Sequence, residues 1–207
     1  MQNESTVASE GLNIAPAGII EHINRRTVWT VAKRAGDFGS FVSGKIRDMK
    51  DATAAELQEA KAYWEQYWLG NQTPYEVITV DGNLMVTAGI TLLWTLLIGG
   101  GGTAFSNANA RLGVGNSNTA EAIGQVDLQG GSTLRKAMNA TFPSVAAAVI
   151  TFQSTFTTAE ANFTWLEVGT FNSGAGATML NRKVPVGGLG TKASGASWTL
   201  TETITLS

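Results

Sequence analysis

The sequence contains no cysteine and a single histidine, His22, among its 207 residues. The absence of cysteine excludes disulfide bonds, cysteine-ligated zinc and thiol catalysis. One histidine is too few for a histidine-rich metal site within one chain. Its surroundings, GIIEHINRR, contain no nucleophile motif for a Ser-His-Asp arrangement. We therefore expect no metal and no cofactor, and interpret His22 as a structural residue.

Charged side chains are also scarce. They make up 14% of the residues, against about 25% in ordinary soluble domains. The formal net charge of −2 gives no electrostatic footprint for nucleic acid or for an anionic membrane, so we expect neither as a partner. The hydrophobic content of 43% is nevertheless enough for a core.

No apolar run is long enough to span a bilayer. The most apolar segment, residues 84–98, is interrupted by threonine and glycine and is shorter than the about 20 residues that a spanning helix needs. It predicts a buried helix that ends at Gly99. The first residues lack the basic start and apolar stretch of a secretory signal.

The composition changes near the glycine run at residues 99–102, because 19 of the 30 charged residues lie in the first 90. Residues 1–20 are polar and punctuated by glycine and proline, which is typical of an extended arm. We expect a mixed helical region over residues 21–102 and an antiparallel β domain over residues 103–207. The predicted fold class is α+β, mainly β: an arm and a helical region followed by an antiparallel β-sandwich or barrel-like domain.

The clearest helix signal is DATAAELQEAKAYWEQYWLG, which predicts a helix near residues 53–69. Thr53 and Glu56 have capping-box spacing, and Gly70 is placed to end the helix. Three aromatic residues share one face. These residues are Trp64, Tyr67 and Trp68. They form either a subunit interface, where aromatic residues are enriched, or a contact with the chain's own core.

Beyond the glycine run the apolar period becomes two, as in β-strands. Residues 162–184, NFTWLEVGTFNSGAGATMLNRKV, predict a β-hairpin around a Gly/Ala/Ser turn. VITFQSTF and NFTWLEVGTF are interpreted as consecutive antiparallel strands. The last segment, SWTLTETITLS, alternates most regularly, with Glu202 as the one polar residue on an inward face otherwise formed by Trp198, Leu200, Ile204 and Leu206.

Glu167 and Glu202 each interrupt a strand that is otherwise apolar or neutral. A buried carboxylate needs a partner, and Arg182 or Lys183 on the neighbouring hairpin arm can supply one. We predict structural ion pairs for these four residues rather than a catalytic acid.

Other candidate chemistry is sparse. The doublet Arg25-Arg26 is too small for a nucleic-acid patch, and we interpret it as a solvated face or a contact with an acidic subunit surface. The stretches GGGGTAF and GGLGTKAS lack the Gly-Lys-Ser/Thr closure of a phosphate-binding loop. The chain is therefore not expected to be an enzyme.

The order of motifs in the second half resembles a known class. ARLGVGNSNTAEAIGQVDLQG, LRKAMNATFP, VITFQSTFTTAEANFTWLEVGTFN, ATMLNRKV and LGTKASGASWTLTETITLS follow one another over residues 109–207. This order resembles β-rich virion structural proteins of tailed bacteriophages. The first 108 residues carry no such pattern.

The resemblance implies a non-enzymatic β domain located in the virion, which assembles as a homo-oligomer, with a trimer favoured. Its expected partners are the major capsid protein or other virion proteins. We expect a capsid decoration (cement) protein. The alternative is a tail-fibre or baseplate component, or one that binds host glycan through an exposed aromatic residue such as Trp165, although alternation places Trp165 inward beside Phe163.

Overall fold

The computed structural model describes residues 25–35, 52–71 and 74–206, without the side chains of residues 35, 61 and 64–71. The predicted arm at residues 1–20 and His22 lie outside the described residues. The described chain forms two five-stranded antiparallel sheets, a small third sheet and two helices. The mainly β fold class predicted from the sequence is confirmed.

The first sheet has the strand order β2-β1-β12-β7-β6. Every pairing in it is antiparallel, and the two longest strands lie side by side near its centre. The strands are β1 (Arg25–Ala35), β2 (Glu76–Asp81), β6 (Ser144–Ala146), β7 (Val149–Phe156) and β12 (Ala196–Leu206).

The second sheet has the order β3-β10-β9-β4-β5 and is also antiparallel. A two-stranded sheet of β8 (Thr164–Trp165) and β11 (Gly190–Thr191) completes the strands. The members of the second sheet are β3 (Leu84–Met85), β4 (Arg111–Gly115), β5 (Thr133–Ala137), β9 (Glu167–Phe171) and β10 (Met179–Lys183).

The core contains large aromatic side chains that pack ring against ring. The Trp165 ring lies 4.8 Å, centroid to centroid, from both Phe156 and Trp198, with edge-to-face geometry. Trp165 is fully buried, so the inward orientation expected for it is confirmed. The first sheet also contributes Trp29, Val31, Phe152 and Leu200 to this core, and the second sheet contributes Leu112, Val114, Val168 and Leu180.

Strand β12 shows the alternation that the sequence predicts. Trp198, Leu200 and Ile204 are buried, and the intervening threonines are partly exposed. Leu206 is the exception: it is 53% exposed at the end of the strand, so its predicted inward position is wrong.

Strand β1 changes the domain division expected from the sequence. Arg25–Ala35 pairs with β12 along its whole length, from Arg25 opposite Leu206 to Ala35 opposite Ala196. Strand β2 extends the same sheet. The boundary expected near residue 102 therefore does not separate a helical region from a β domain, because β1 and β2 are part of the sandwich.

The hairpin predicted over residues 162–184 is present as the antiparallel pair β9 and β10. The expectation that VITFQSTF and NFTWLEVGTF are neighbouring strands is wrong. Strand β7 pairs with β6 and β12 in the first sheet, whereas β9 pairs with β4 and β10 in the second. After Phe156 the chain passes through β8 of the small third sheet before it enters the second sheet at β9.

Helix α1 (Ala54–Asn71) begins with the predicted capping box. The backbone N–H of Thr53 donates to Glu56 Oε2 at 2.8 Å, and the Glu56 N–H donates to Thr53 Oγ1 at 3.4 Å. The Thr53 hydroxyl also donates to Glu56 Oε2 at 2.7 Å, and this bond, together with the bond from the Thr53 backbone N–H, lowers the pKa of Glu56. Gly70 was expected to follow the helix, but the helix continues to Asn71, so that end position is wrong.

Helix α2 (Thr87–Leu97) corrects the prediction of a buried helix over residues 84–98. The run begins as strand β3, and only Gly89 within the helix is buried. A Cβ atom on Gly89 would lie 2.5 Å from the backbone oxygen of Leu180, so glycine lets the helix axis approach β10 closely. The helix therefore rests on the second sheet along one narrow line.

Candidate functional site

Two carboxylates lie entirely inside the molecule, and each is held by a different set of partners. Glu167 of β9 and Glu202 of β12 are both 0% exposed. Glu167 contacts a loop that covers the second sheet, whereas Glu202 lies between the two sheets. They are the acids that the sequence singled out.

Glu167 is paired with Arg182. The Arg182 Nε donates to Glu167 Oε2 at 2.7 Å, and both side chains are completely buried. Arg182 lies opposite Gly169 in the β9-β10 register, diagonal to Glu167. This arrangement follows from the hairpin, which brings its two arms side by side.

The ion pair holds the loop of residues 116–132 against the second sheet. The backbone N–H groups of Gln129 and Gly130 donate to Glu167 at 3.0 Å and 2.7 Å. Arg182 Nη1 donates to the backbone oxygen of Thr119 at 2.9 Å. Because both charged groups are buried, these charge-assisted bonds replace the hydration that each group has lost.

Glu202 has neither Arg182 nor Lys183 as a partner, so the predicted ion pair for Glu202 is wrong. Its carboxylate accepts hydrogen bonds from the Thr170 hydroxyl, from Asn181 Nδ2 at 2.5 Å and from Asn83 Nδ2 at 3.1 Å. The difference arises because β12 presents Glu202 to the inner face of the second sheet, where the nearest side chains are hydroxyl and amide groups.

Burial raises the pKa of Glu202 to about 7, although the three hydrogen bonds and the positive charge of Arg25 oppose that rise. Within the described chain, the Oδ1 atoms of Asn83 and Asn181 are buried without a donor. Rotation of either amide would turn an acceptor toward a protonated Glu202. The cluster is thus equipped to hold the carboxyl group in both of its protonation states.

Lys183 pairs with Glu121 instead, with 3.6 Å between Nζ and Oε1. Arg26 is largely exposed and pairs with Asp81 of its own chain at 3.1 Å. Arg25 donates to the backbone oxygen of Asn83, also at 3.1 Å. The two arginines at the start of β1 therefore already contact the last residue of β2 and the turn that follows it.

The aromatic side chains proposed for an α1 interface, Trp64, Tyr67 and Trp68, lie outside the described side chains. Among the α1 residues whose side chains are described, none is buried. Tyr63, in the middle of the helix, is 65% exposed. The choice between interface and core for this aromatic face stays a prediction.

Sequence reasoning missed Lys33, which is 5% exposed. Its Nζ lies 4.4 Å from the Trp198 ring centroid and 2.9 Å from Glu76 Oε2. The sequence feature that could have predicted its burial is an alternation along β1, in which Lys33 continues the inward face formed by Thr27, Trp29 and Val31. The ring and the carboxylate compensate the buried ammonium group.

The exposed surface has an apolar feature on helix α2. Trp94 is 62% exposed, Leu97 is 72% exposed and Ile98, directly after the helix, is 81% exposed. Residues 82–110 contain no charged side chain. The helix therefore presents an uncharged apolar surface to solvent, of the kind that marks a contact site.

Neither buried carboxylate reaches a surface where a substrate could meet it. Each instead accepts hydrogen bonds from other strands or loops, so both organise the fold. In the part of the chain that the structure describes, no three His, Cys, Asp or Glu side chains are grouped to hold a metal ion. No helix among the described segments has the length and apolarity needed to cross a bilayer. Trp165, buried in the core, offers no platform for a sugar ring.

Comparison with family models, curated proteins and solved structures finds no match to this chain.

Proposed function

We propose that this chain is a virion structural protein of a tailed bacteriophage, and specifically a capsid decoration protein that binds and stabilises the assembled head lattice. The observation that supports an assembly role is the uncharged apolar surface formed by Trp94, Leu97 and Ile98 of α2 and its end, exposed on the β-sandwich. The phage assignment itself rests on the motif order over residues 109–207 and the resemblance described above.

The proposed mechanism is stabilisation by mass action. A protein that binds the assembled shell and not its separated subunits shifts the equilibrium away from disassembly. It needs surface complementarity and no reacting group, because burial of apolar area contributes about 25 cal/mol per Å². A sandwich in which the buried Glu167 and Lys33 are each paired with a charge of the same chain presents such a surface without rearranging, which limits the ordering cost of binding.

The test is co-sedimentation of the purified protein with emptied phage heads, and separately with tails. We expect saturable binding to heads and a rise in the temperature at which they disassemble. The heat-unfolded protein serves as the control, because it retains the composition but not the surface. Absence of head binding would contradict the decoration role.

The second candidate, a tail-fibre or baseplate component, has the same fold requirements. It predicts binding to tails and not to heads in the same experiment. A host glycan-binding role predicts retention on host-cell polysaccharide and requires an aromatic residue other than Trp165.

A further inference from the structure

We propose that Gly82 and Asn83, the turn between β2 and β3, form a proton-controlled strap between the two sheets. The strap is closed over Glu202 while that carboxyl group is protonated, and it opens when the group ionises. This inference concerns the interior of the sandwich and does not depend on the virion role proposed above.

Glu202 is a fully buried acid whose hydrogen-bond partners are all neutral. In the first sheet it lies opposite Trp29 of β1 and Phe152 of β7, and the Trp29 Nε1 has no hydrogen-bond partner. An ionised carboxylate at this position has exchanged its hydration for neutral donors, so burial favours the protonated form. The donors are the Thr170 hydroxyl and the side-chain amides of Asn83 and Asn181.

The charged groups around Glu202 do little to offset this burial. Arg25 is the charged side chain that acts on it electrostatically, and burial nevertheless raises the pKa of Glu202 to about 7. Arg25 is itself exposed and donates to the backbone oxygen of Asn83 at 3.1 Å. Strand β7 carries no charge. Other charged side chains on the surrounding strands have partners elsewhere: Arg26 with Asp81, Lys33 with Glu76, Arg34 with Thr199, Arg182 with Glu167 and Lys183 with Glu121.

The closed cluster also lacks a donor that a protonated Glu202 would supply. The Oδ1 atoms of Asn83 and Asn181 are buried without a hydrogen-bond partner. Rotation of either amide would present its Oδ1 to the carboxyl proton. The protonated acid therefore completes the hydrogen bonds of the closed cluster, whereas the ionised acid leaves both oxygen atoms unpaired.

Asn83 is the partner that can move away at the lowest free-energy cost. Thr170 and Asn181 lie within β9 and β10, which have a neighbouring strand on each side. Asn83 is partly exposed, in a turn that joins two edge strands, and β3 has only two residues, both paired with β10. Short edge segments open locally without unfolding the rest of a domain. Displacement of the strap would admit water to the Glu202 carboxylate.

The direction of the pH effect follows from proton release. The closed form holds a proton up to a pH of about 7, whereas a solvated Glu202 in the open form returns to a pKa of 4.5 and releases it. Rising pH therefore favours the open form. We expect the equilibrium constant for opening to increase about 10-fold per pH unit from pH 4.5 to pH 7, about 300-fold in total, and then to level off.

The experiment measures amide hydrogen exchange of the whole chain by NMR between pH 4.5 and pH 8, corrected for the intrinsic exchange rate. Two amides that flank Asn83 report on the strap, because the Gly82 N–H donates to the Thr27 backbone oxygen at 2.7 Å and the Val86 N–H donates to that of Leu180 at 3.1 Å. Amides of the central strand β12 are the internal reference. A series in low urea separates local opening, which is insensitive to urea, from global unfolding.

We expect the opening constants of Gly82 and Val86 to rise with pH, independently of urea, while β12 stays more protected. Glu202→Gln, which is neutral at every pH, should abolish the rise. Asp81→Asn is the matched control: it removes an exposed carboxylate beside the same turn and should leave the rise intact. Circular dichroism and the thermal midpoint would show that both variants fold.

Three results would overturn the proposal. The first is an opening constant at Gly82 and Val86 that does not change with pH. The second is the same rise in Glu202→Gln. The third is exchange of these amides only together with β12 and with the same urea dependence, which would mean that no separate strap exists. The wild-type series alone gives the first and third results, so the test does not depend on the folding of a variant.

Discussion

The guanidinium group of Arg182 on β10 lies 2.7 Å from the carboxylate of Glu167 on β9, and neither side chain is exposed to solvent. The same carboxylate accepts the backbone N–H groups of Gln129 and Gly130. One ion pair thus joins the hairpin to the loop that covers it. The loop depends on both charges being present.

Removal of one partner is expected to be costly. Arg182→Met leaves Glu167 charged and buried without its cation, and we expect a loss of about 3–5 kcal/mol in the free energy of unfolding. Urea denaturation followed by tryptophan fluorescence measures this loss. Arg26→Met is the control, because the Arg26–Asp81 pair is largely exposed and little change is expected. Equal effects of the two substitutions would contradict the structural role of the buried pair.

The stability of the fold is expected to decrease as the pH rises toward neutrality. The pKa of Glu202 is raised from 4.5 to about 7 by burial, so the folded chain retains a proton that the unfolded chain has released. The resulting stabilisation is fully present below pH 4.5 and is lost as the pH rises through 7. Its size is up to about 3 kcal/mol, from the shift in pKa.

Glu202→Gln separates this contribution from those of other groups. The amide keeps the shape and the neutral charge of the protonated acid. Urea denaturation between pH 4.5 and pH 8 should therefore show a decrease in the wild type that is absent from the variant. Parallel pH profiles for the two proteins would assign the titration to another residue.

Gly89→Ala is expected to displace helix α2. The new methyl group would lie 2.5 Å from the Leu180 backbone oxygen, and overpacking of this kind costs about 1–3 kcal/mol. Amide hydrogen exchange over Thr87–Leu97 and thermal unfolding both report the change. Gly124→Ala is the matched control, since its added methyl group meets nothing within 4 Å. Normal protection of the helix in Gly89→Ala would contradict the close seating on β10.

Local patterns in the sequence were sufficient for several elements. The alternation of β12, the β9-β10 hairpin and the Thr53–Glu56 capping box depend on residues close in sequence, and all three are present. The pairing of β1 with β12 joins segments about 170 residues apart. No local pattern encodes that pairing, so the sequence alone assigns the residues of β1 to a mixed helical region.

The distinction between local and distant contacts also explains why the partner of Glu167 could be predicted and the partners of Glu202 could not. Arg182 is close to Glu167 because a single hairpin places both residues on adjacent strands. Glu202 meets Thr170, Asn181 and Asn83 only after the two sheets stack, and strand periodicity does not give the relative position of two sheets. The exposure of α2 could not be predicted for a related reason. A run of apolar residues indicates burial, but the run itself does not say whether the same chain or another molecule covers it.

The position of β12 has a consequence for synthesis on the ribosome. It lies between β1 and β7, so the first sheet lacks its middle strand until residues 196–206 have been translated. Strand β1 can pair with β2 before then, but the backbone edge that β12 later occupies stays unpaired. Domains dominated by such distant pairings fold slowly and expose apolar surface meanwhile, so this chain is expected to benefit from chaperones that bind nascent polypeptides.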